Sequence, residues 1–300
     1  MEPISQMKAF WPEWTVEHEI GRGSCGSVYK VSRTIFAKKC YSAVRVIRIP
    51  MNDSDVEAYM AKNRSYSLTR AHIRQLALSF VHEILMMIEF RGADNVVGIE
   101  DFKIIEQEEE IRWDIFIRME YLTCLTDVIT ERRISEKEVA KIGIDICSAL
   151  ELCEEKHTVH GNIRPNNIFV SRFGTYKLGD IGIARQLFPL QALGAYSPYM
   201  APEIYRGHRF YASADIYALG IVLYKLLNRN CMPFVNPTAK SNSYKDVNEA
   251  RRRIFVGEKK PAPYDASGPM SRVILKACSA EAADRFRSAG EMKRELENCL

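Results

Sequence analysis

Residues 159–170 read V-H-G-N-I-R-P-N-N-I-F-V, and after a short gap residues 177–182 read K-L-G-D-I-G. His160, Asn162, Arg164, Asn166, Asn167 and Asp180 are set there among Val159, Ile163, Ile168, Phe169, Val170, Leu178 and Ile181. An asparagine ahead of an apolar run is an ordinary turn residue, so Asn167 taken alone calls for no site. The rest of the chain decides whether these polar residues act together.

A chain of 300 residues is long enough to bury a large core, as one big domain or two lobes. With 47% hydrophobic and 27% charged residues its composition is that of an ordinary globular protein. The 42 basic residues are nearly matched by 38 acidic ones, and a net charge of +4 gives no argument for a nucleic-acid partner. The cysteines at 25, 40, 124, 147, 153, 231, 278 and 299 form no C-x-x-C pair and have no neighbouring histidine cluster. That pattern is expected of reduced thiols in a cytoplasmic protein, not of a disulfide framework or a zinc site. Glu2 and the lack of an apolar core near the N-terminus give no signal-peptide pattern. The longest apolar run, around residues 218–227, is broken by Lys225 and is too short to span a bilayer. The expectation is a soluble protein with no membrane segment; any anchor would lie beyond Leu300.

Upstream of the opening stretch, residues 14–49 alternate apolar with polar around a glycine cluster, as antiparallel strands do. Residues 52–66 are polar and read as a loop. Leu76, Phe80, Ile84 and Met87 give helical spacing over residues 74–90. Residues 96–105 and 114–119 read as two further strands around the acidic turn E-Q-E-E-E. Beyond Glu120 the pattern turns helical. Val139, Ile142, Ile146, Leu150 and Cys153 share one face of a helix ending near Lys156. Residues 212–227 are apolar nearly all round and so should be buried, residues 246–257 read as an exposed charged helix, and residues 262–300 give two more. A sheet-rich part followed by a larger helical part is an α+β plan with its junction near Tyr121.

Gly21-Arg22-Gly23-Ser24-Cys25-Gly26-Ser27-Val28 fits G-x-G-x-x-G-x-V between two strands. Glycines at this spacing let backbone amides close over phosphates without interference from side chains. A dinucleotide-binding loop is the rival reading, and it needs a helix directly after the glycines. Val28-Tyr29-Lys30-Val31 continues as strand instead, which favours a phosphate-covering hairpin.

Together with the opening stretch this resembles the protein kinase family, whose catalytic loop reads H-R-D-x-K-P-x-N and whose metal loop reads D-F-G. The resemblance runs from about Trp14 to the C-terminus and implies a bilobal protein-kinase-like fold. Residues 1–121 would form a small β-rich N-lobe with the Gly-rich loop, strand 3 and helix C, and residues 122–300 a larger helical C-lobe. The cofactors implied are ATP and Mg2+, with Mn2+ as an alternative metal, and the partner implied is a protein that the sequence leaves unspecified. Gly21, Gly23, Gly26, Val28, Ala43, Arg45, Met119, Glu120, Leu122 and Phe169 match nucleotide-binding positions, with Met119 limiting the depth of the adenine pocket. Asn167 and Asp180 match the two metal ligands. Glu203 with Arg285 matches the family's buried ion pair, and Asp215 the helix aspartate that holds the catalytic loop.

The departures fall where chemistry is decided. Arg45 stands at the strand-3 lysine and keeps the charge, but a planar guanidinium does not replace a compact ammonium. A strand arginine with its head in solvent would read the same. Glu83 matches the lysine's partner, although a solvated helix carboxylate would look no different. Arg164 replaces a phosphate-contacting lysine and remains a cation. Asn162 stands where the family has its catalytic aspartate, and a neutral amide cannot take a proton. Losing a general base costs about 10²–10⁴ in rate, and disturbing a phosphate-clamping cation about 10²–10³, without the two having to multiply. Gly161 removes the arginine that meets a phosphorylated activation loop in many relatives, Ile181 replaces the phenylalanine of D-F-G, and Ala195-Tyr196 stands where a G-T is expected. The expected function is a pseudokinase that binds ATP–Mg2+ and serves as a signalling module with little or no phosphotransfer. The alternative is a weakly active or unconventional Ser/Thr protein kinase.

Overall fold

A computed structural model describes residues 3–23, 26–50, 53–107, 110–181, 197–239 and 241–300. Gly182 and Ala195-Tyr196 lie outside the described residues, as do Ser24 and Cys25 of the glycine-rich stretch. The chain forms two compact units, one of Met1–Gly92 with Val97–Leu122 and one of Ala93–Val96 with Thr123–Leu300. A β-rich N-terminal part and a helical C-terminal part make the bilobal protein-kinase fold.

In the first unit β1 (Thr15–Gly23), β2 (Gly26–Ile35), β3 (Lys38–Ile49), β4 (Ile99–Gln107) and β5 (Arg112–Glu120) form an antiparallel sheet in the order β1-β2-β3-β5-β4. Its pairing register sorts side chains by face, because cross-strand partners point the same way and neighbours along a strand point oppositely. Val28 pairs with Arg45 and Arg45 with Ile117, while Ala43 pairs with Met119. Val28, Ala43, Arg45 and Met119 therefore share one face. Tyr29, Val31, Val44, Val46 and Phe116 take the other, where Ile4, Met7, Trp11 and Trp14 complete a core. These last residues come from a 3-10 helix, Pro3–Ala9, and the turn after it, which the sequence reading did not anticipate.

Two helices join β3 to β4. The polar stretch expected to be a loop is instead α1 (Asp53–Asn63), which packs on the following helix. Its weak amphipathicity left no periodic signal to read, since none of its described side chains is fully buried. The next helix, α2 (Tyr66–Glu89), starts earlier than residue 74, where Ser65 caps it by accepting the Leu68 N–H. It packs against β3 and β5. None of its residues enters the core behind the opposite face, so it lies on the face of Arg45. The strand expected from residue 96 begins at Ile99, and Val96 instead makes an isolated parallel bridge to Leu178 in the second unit's own sheet.

The second unit holds β6 (Thr123–Cys124), α3 (Leu125–Glu131), α4 (Glu136–Glu155), β7 (Ile168–Val170), β8 (Tyr176–Leu178), α5 (Pro202–Tyr205), α6 (Ala212–Leu227), α7 (Tyr244–Phe255), α8 (Gly268–Ala277) and α9 (Ala289–Glu297). Helix α4 packs on α6 and α9, and α6 on α8. The near-continuous apolar sequence of α6 follows from this, because Ile216, Leu219, Ile221, Val222 and Leu223 are all buried, around its circumference. Close approach is built in at Gly220, where a Cβ would stand 2.9 Å from the Cβ of Ala277. Among the described residues no helix is long and apolar enough to cross a membrane.

Candidate active site

The loop between α4 and β7 is held by α6. Asp215, only 3% exposed, accepts the His160 N–H at 2.7 Å and the Gly161 N–H at 2.8 Å, one on each carboxylate oxygen. Hydrogen bonds to an ionised acceptor are the stronger kind, so two successive amides anchor the loop backbone on one buried charge. Gly161 bends away from this anchor at φ +74°, a left-handed conformation open to glycine at no steric cost.

His160 carries the order onward. Its ring is fully buried, Nδ1 accepts the Asn162 N–H at 3.1 Å, and Nε2 lies 2.7 Å from the Gly179 carbonyl oxygen. An N–H pointing at Nδ1 requires that nitrogen to be unprotonated, so the proton sits on Nε2 and is donated to Gly179. The imidazole thus links the backbone of Asn162 to the segment that carries Asp180.

A 3-10 turn, Pro165–Asn167, follows. The Asn167 N–H donates to the Arg164 carbonyl at 2.9 Å, and its side-chain Nδ2 donates to the Asn162 carbonyl at 2.8 Å. That second bond turns the amide so that Oδ1 is the atom left to meet a ligand. The Gly179 N–H donates to the Asn167 carbonyl at 2.9 Å, which ties the neighbouring Asp180 to the same turn. Asp180 is 7% exposed with φ +61°, an uncommon backbone for a non-glycine residue. Ile181 is buried behind it. Beneath the loop, the Cys124 thiol donates to the carbonyls of Pro165 and Asn166 at 3.7 Å, and burial pushes its ionisation upward. Phe169 of β7 is half-buried and pairs with Cys124 on one side and Lys177 on the other.

A cavity of about 40 Å³ opens beside the loop, lined by Gly161, Asn162, Ser197, Tyr199, Asp215 and neighbours from α5 and α6. It is large enough for about one water molecule. The Tyr199 hydroxyl on its wall accepts from Lys225 at 2.8 Å. Further into the unit, Arg285 forms a two-pronged pair with Glu203 at 2.7 Å on each arm. Its remaining donors reach the carbonyls of Ser213, Ser279 and Ala280. Burial works to raise the Glu203 carboxyl, and the bonds from Arg285 outweigh it, holding the group below its ordinary value.

In the first unit the glycine-rich stretch joins β1 to β2, with Gly21 opposite Val28 and Gly23 opposite Gly26. The glycines answer to different demands. Gly26 sits at φ +94°, and a Cβ there would stand 2.0 Å from the Val46 carbonyl oxygen, so backbone packing on β3 requires it. A Cβ on Gly21 would meet nothing within 4 Å, which leaves its backbone open to an incoming group. Arg45 is 8% exposed and Glu83 7% exposed. The readings of a strand arginine with its head in solvent and of a solvated helix carboxylate both fall. Ala43 is buried, and Met119 and Leu122 are partly buried. Glu120 turns back on β4, where its carboxylate accepts the Gly98 N–H at 2.7 Å while its own N–H donates to the Gly98 carbonyl at 3.1 Å.

Residues 14–295 match the protein kinase domain. The chain belongs to the protein kinase family. It is 26% identical over 297 residues to the probable serine/threonine-protein kinase PknB of Lactococcus lactis, covering 96% of this chain and 42% of that protein. It is 30% identical over 196 residues to the serine/threonine-protein kinase PknB of Mycobacterium tuberculosis, covering 60% of this chain and 30% of that one. The kinase domain described here therefore spans less than half the length of these relatives.

Kinases of this family use ATP and Mg2+, and the residues present fit that cation. Asn167 offers an amide oxygen and Asp180 a carboxylate, the hard donors Mg2+ takes. Among the described residues no group of three or more His, Cys, Asp or Glu stands ready to hold a metal. A cation at this kinase turn would need further oxygens, and bound phosphates supply those in kinase sites. The second unit thus brings Asn162, Arg164 and Asn167 onto one hydrogen-bonded turn and ties Asp180 to it through Gly179, and the first unit places Val28, Ala43, Arg45 and Met119 on one sheet face. The part of His160 in orienting Asn162 was missed from sequence. A histidine two residues ahead of the decisive position was the available signal.

Proposed function

We propose that this kinase domain binds ATP–Mg2+ and works as a signalling module with little or no phosphotransfer. The first unit would supply Gly21, Gly23, Gly26, Val28, Ala43, Arg45, Met119, Glu120 and Leu122 to the nucleotide, with Glu83 supporting Arg45. The second would supply Phe169, with Asn167 and Asp180 as cation ligands and Arg164 as a cation toward the terminal phosphate. Bound Mg2+ would neutralise phosphate charge. What Asn162 then lacks is the ability to take a proton.

The observation that carries this reading is Asn162. Its backbone is held by the buried His160 ring at 3.1 Å and its carbonyl by Asn167 at 2.8 Å, on a loop anchored by Asp215. The position is ordered, yet its side chain is a neutral amide that can hydrogen-bond a hydroxyl and cannot take its proton. A second reading, a weakly active Ser/Thr protein kinase, is favoured by the retained oxygen donors Asn167 and Asp180 and by the Ser/Thr kinase relatives.

An ATP titration with and without Mg2+, followed by thermal shift, is paired with a phosphotransfer assay on the wild type and on Arg45→Lys/Asn162→Asp. The expected result is Mg2+-dependent stabilisation in both proteins, with transfer only in the double variant. Weak wild-type transfer that Asp180→Ala abolishes favours the second reading, and turnover at the rate of an ordinary kinase overturns the first. No shift at millimolar ATP overturns nucleotide binding itself.

A further inference from the structure

The two-residue turn between β2 and β3 is built against its own backbone preference. Ile35 pairs with Lys38, so Phe36 and Ala37 alone make the turn, with φ +43° and +64°. Two positive φ values are the mark of the hairpin turn that favours Asn-Gly, because those residues tolerate the left-handed region. A phenylalanine there is a steric outlier. The fold gains nothing in return, since Phe36 is 101% exposed and Ile35 beside it 40%. Strain held without internal compensation is the kind of outlier that marks a functional contact.

The surroundings indicate what that contact is. Lys38 follows the turn directly and is exposed, and Lys39 stays about half exposed while bridging to Glu17 at 2.7 Å. Lys8 is exposed at the same end of the sheet, its ammonium 3.5 Å from the Thr15 hydroxyl, and Thr15 pairs with Ser32 of β2. Arg33 lies over the Trp14 ring at 4.8 Å. The carboxylate of Glu17 is already engaged by Lys39 and by the Ser32 hydroxyl, and that of Glu100 by Arg118. An apolar tip with a cationic collar matches the boundary of an anionic lipid surface, where a ring enters the headgroup zone and lysines stay among phosphates. A protein partner would need a broader patch, typically about 800 Å² on each side, than one projecting turn provides.

We propose that the β2–β3 turn is a lipid-contacting tip, which inserts Phe36 and Ile35 into an anionic phospholipid surface while Lys38 and Lys8 meet its headgroups. The contact is peripheral and reversible, because a single short wedge gives weak membrane affinity.

The test is co-sedimentation of the 300-residue chain with phosphatidylcholine vesicles, with and without phosphatidylserine. The wild type should sediment with the anionic vesicles, less so as salt rises. Phe36→Ser should weaken binding by roughly tenfold and Lys38→Glu by roughly fivefold or more. The deciding variant is Phe36→Asn/Ala37→Gly, which relieves the turn. It should raise Tm and at the same time lose vesicle binding. A wild type that stays in the supernatant with anionic vesicles overturns the proposal, and so does a relieved variant that binds as well as wild type. If vesicles are ignored while the Phe36 variants break a self-association seen by analytical sedimentation, the tip is a protein contact and the lipid assignment fails.

Discussion

The carboxylate of Asp215 on α6 is bonded to the His160 end of the loop between α4 and β7 through two consecutive backbone amides, at 2.7 and 2.8 Å. Nothing about the sequence distance between these residues makes the contact local, so the loop's order depends on packing of α6. Asp215→Ala leaves two buried N–H groups without their acceptor, and each carries a penalty of about 1–3 kcal/mol. A loss of about 3 kcal/mol in urea unfolding is expected. Asp215→Asn keeps one acceptor and turns an NH2 toward the other amide, so it should recover only part of that loss.

Gly26 and Gly21 should separate in the same way under the same substitution. Gly26→Ala drives a Cβ to 2.0 Å from the Val46 carbonyl at a left-handed backbone, and a loss of at least about 2 kcal/mol is expected. Gly21→Ala meets open space and should change stability by less than about 0.5 kcal/mol. Any weakening of ATP-induced thermal shift in Gly21→Ala then reports on the nucleotide, since the fold is unaffected. Chemical denaturation of both variants checks the first part.

How far the chain could be read in advance depended on whether the deciding contact was local. Helix α6 was legible to its last residue because a long apolar run bounded by polar residues has few other meanings. Helix α1 was not, since its residues show no apolar stripe. The site positions were legible from spacing, but Arg45 and Glu83 each had a solvent-facing reading that only burial removes. The reason for Gly26 lies on β3, and the acceptor that the His160 Nε2 proton meets is the carbonyl of Gly179. Both follow from long-range pairing that no window of sequence contains.

The N-terminal segment should prove part of the domain even though the family match begins at residue 14. Trp11 is 3% exposed, its indole N–H donates to Asp101 at 2.7 Å, and the neighbouring Phe10 meets the Phe116 ring edge-on at 4.9 Å. Trp11→Ala should destabilise by about 3–5 kcal/mol. A chain that starts at Glu13 would expose Tyr29, Val31, Val44 and Val46 together, and it should aggregate on heating where the full chain refolds. Light scattering during a thermal ramp distinguishes the two.

The Glu203–Arg285 pair gives stability a pH dependence with a defined sign. Burial acts to raise Glu203, the Arg285 bonds prevail, and the folded carboxyl titrates below the unfolded value of 4.5. A depressed carboxyl contributes stability that is fully present above about pH 4.5 and is lost as pH falls through the folded value. Arg285→Met leaves the glutamate buried without its cation and should cost about 3–5 kcal/mol at neutral pH. The contribution of the pair should shrink on acidification. Urea midpoints for wild type and variant, measured from neutral pH down to about pH 3, should draw closer, leaving the part due to the bonds of Arg285 to the carbonyls of Ser213, Ser279 and Ala280.

Asn167 separates what the turn does for the fold from what it does for a cation. Its Nδ2 bond to the Asn162 carbonyl, 2.8 Å long, is structural, and its Oδ1 is the atom left for a ligand. Asn167→Asp removes the donor and sets a carboxylate oxygen against a carbonyl, so the apo protein should lose about 1–3 kcal/mol. The same change adds negative charge to a hard-oxygen donor set, which favours Mg2+. ATP–Mg2+ should then stabilise the variant by more than it stabilises wild type, while ATP with chelator should not. Asn167→Ala loses the same structural bond without setting a charge against the carbonyl, so its apo stability should be no lower than that of the aspartate variant while its Mg2+-dependent shift falls below wild type. Equal Mg2+ responses in all three proteins would show that Oδ1 meets no cation.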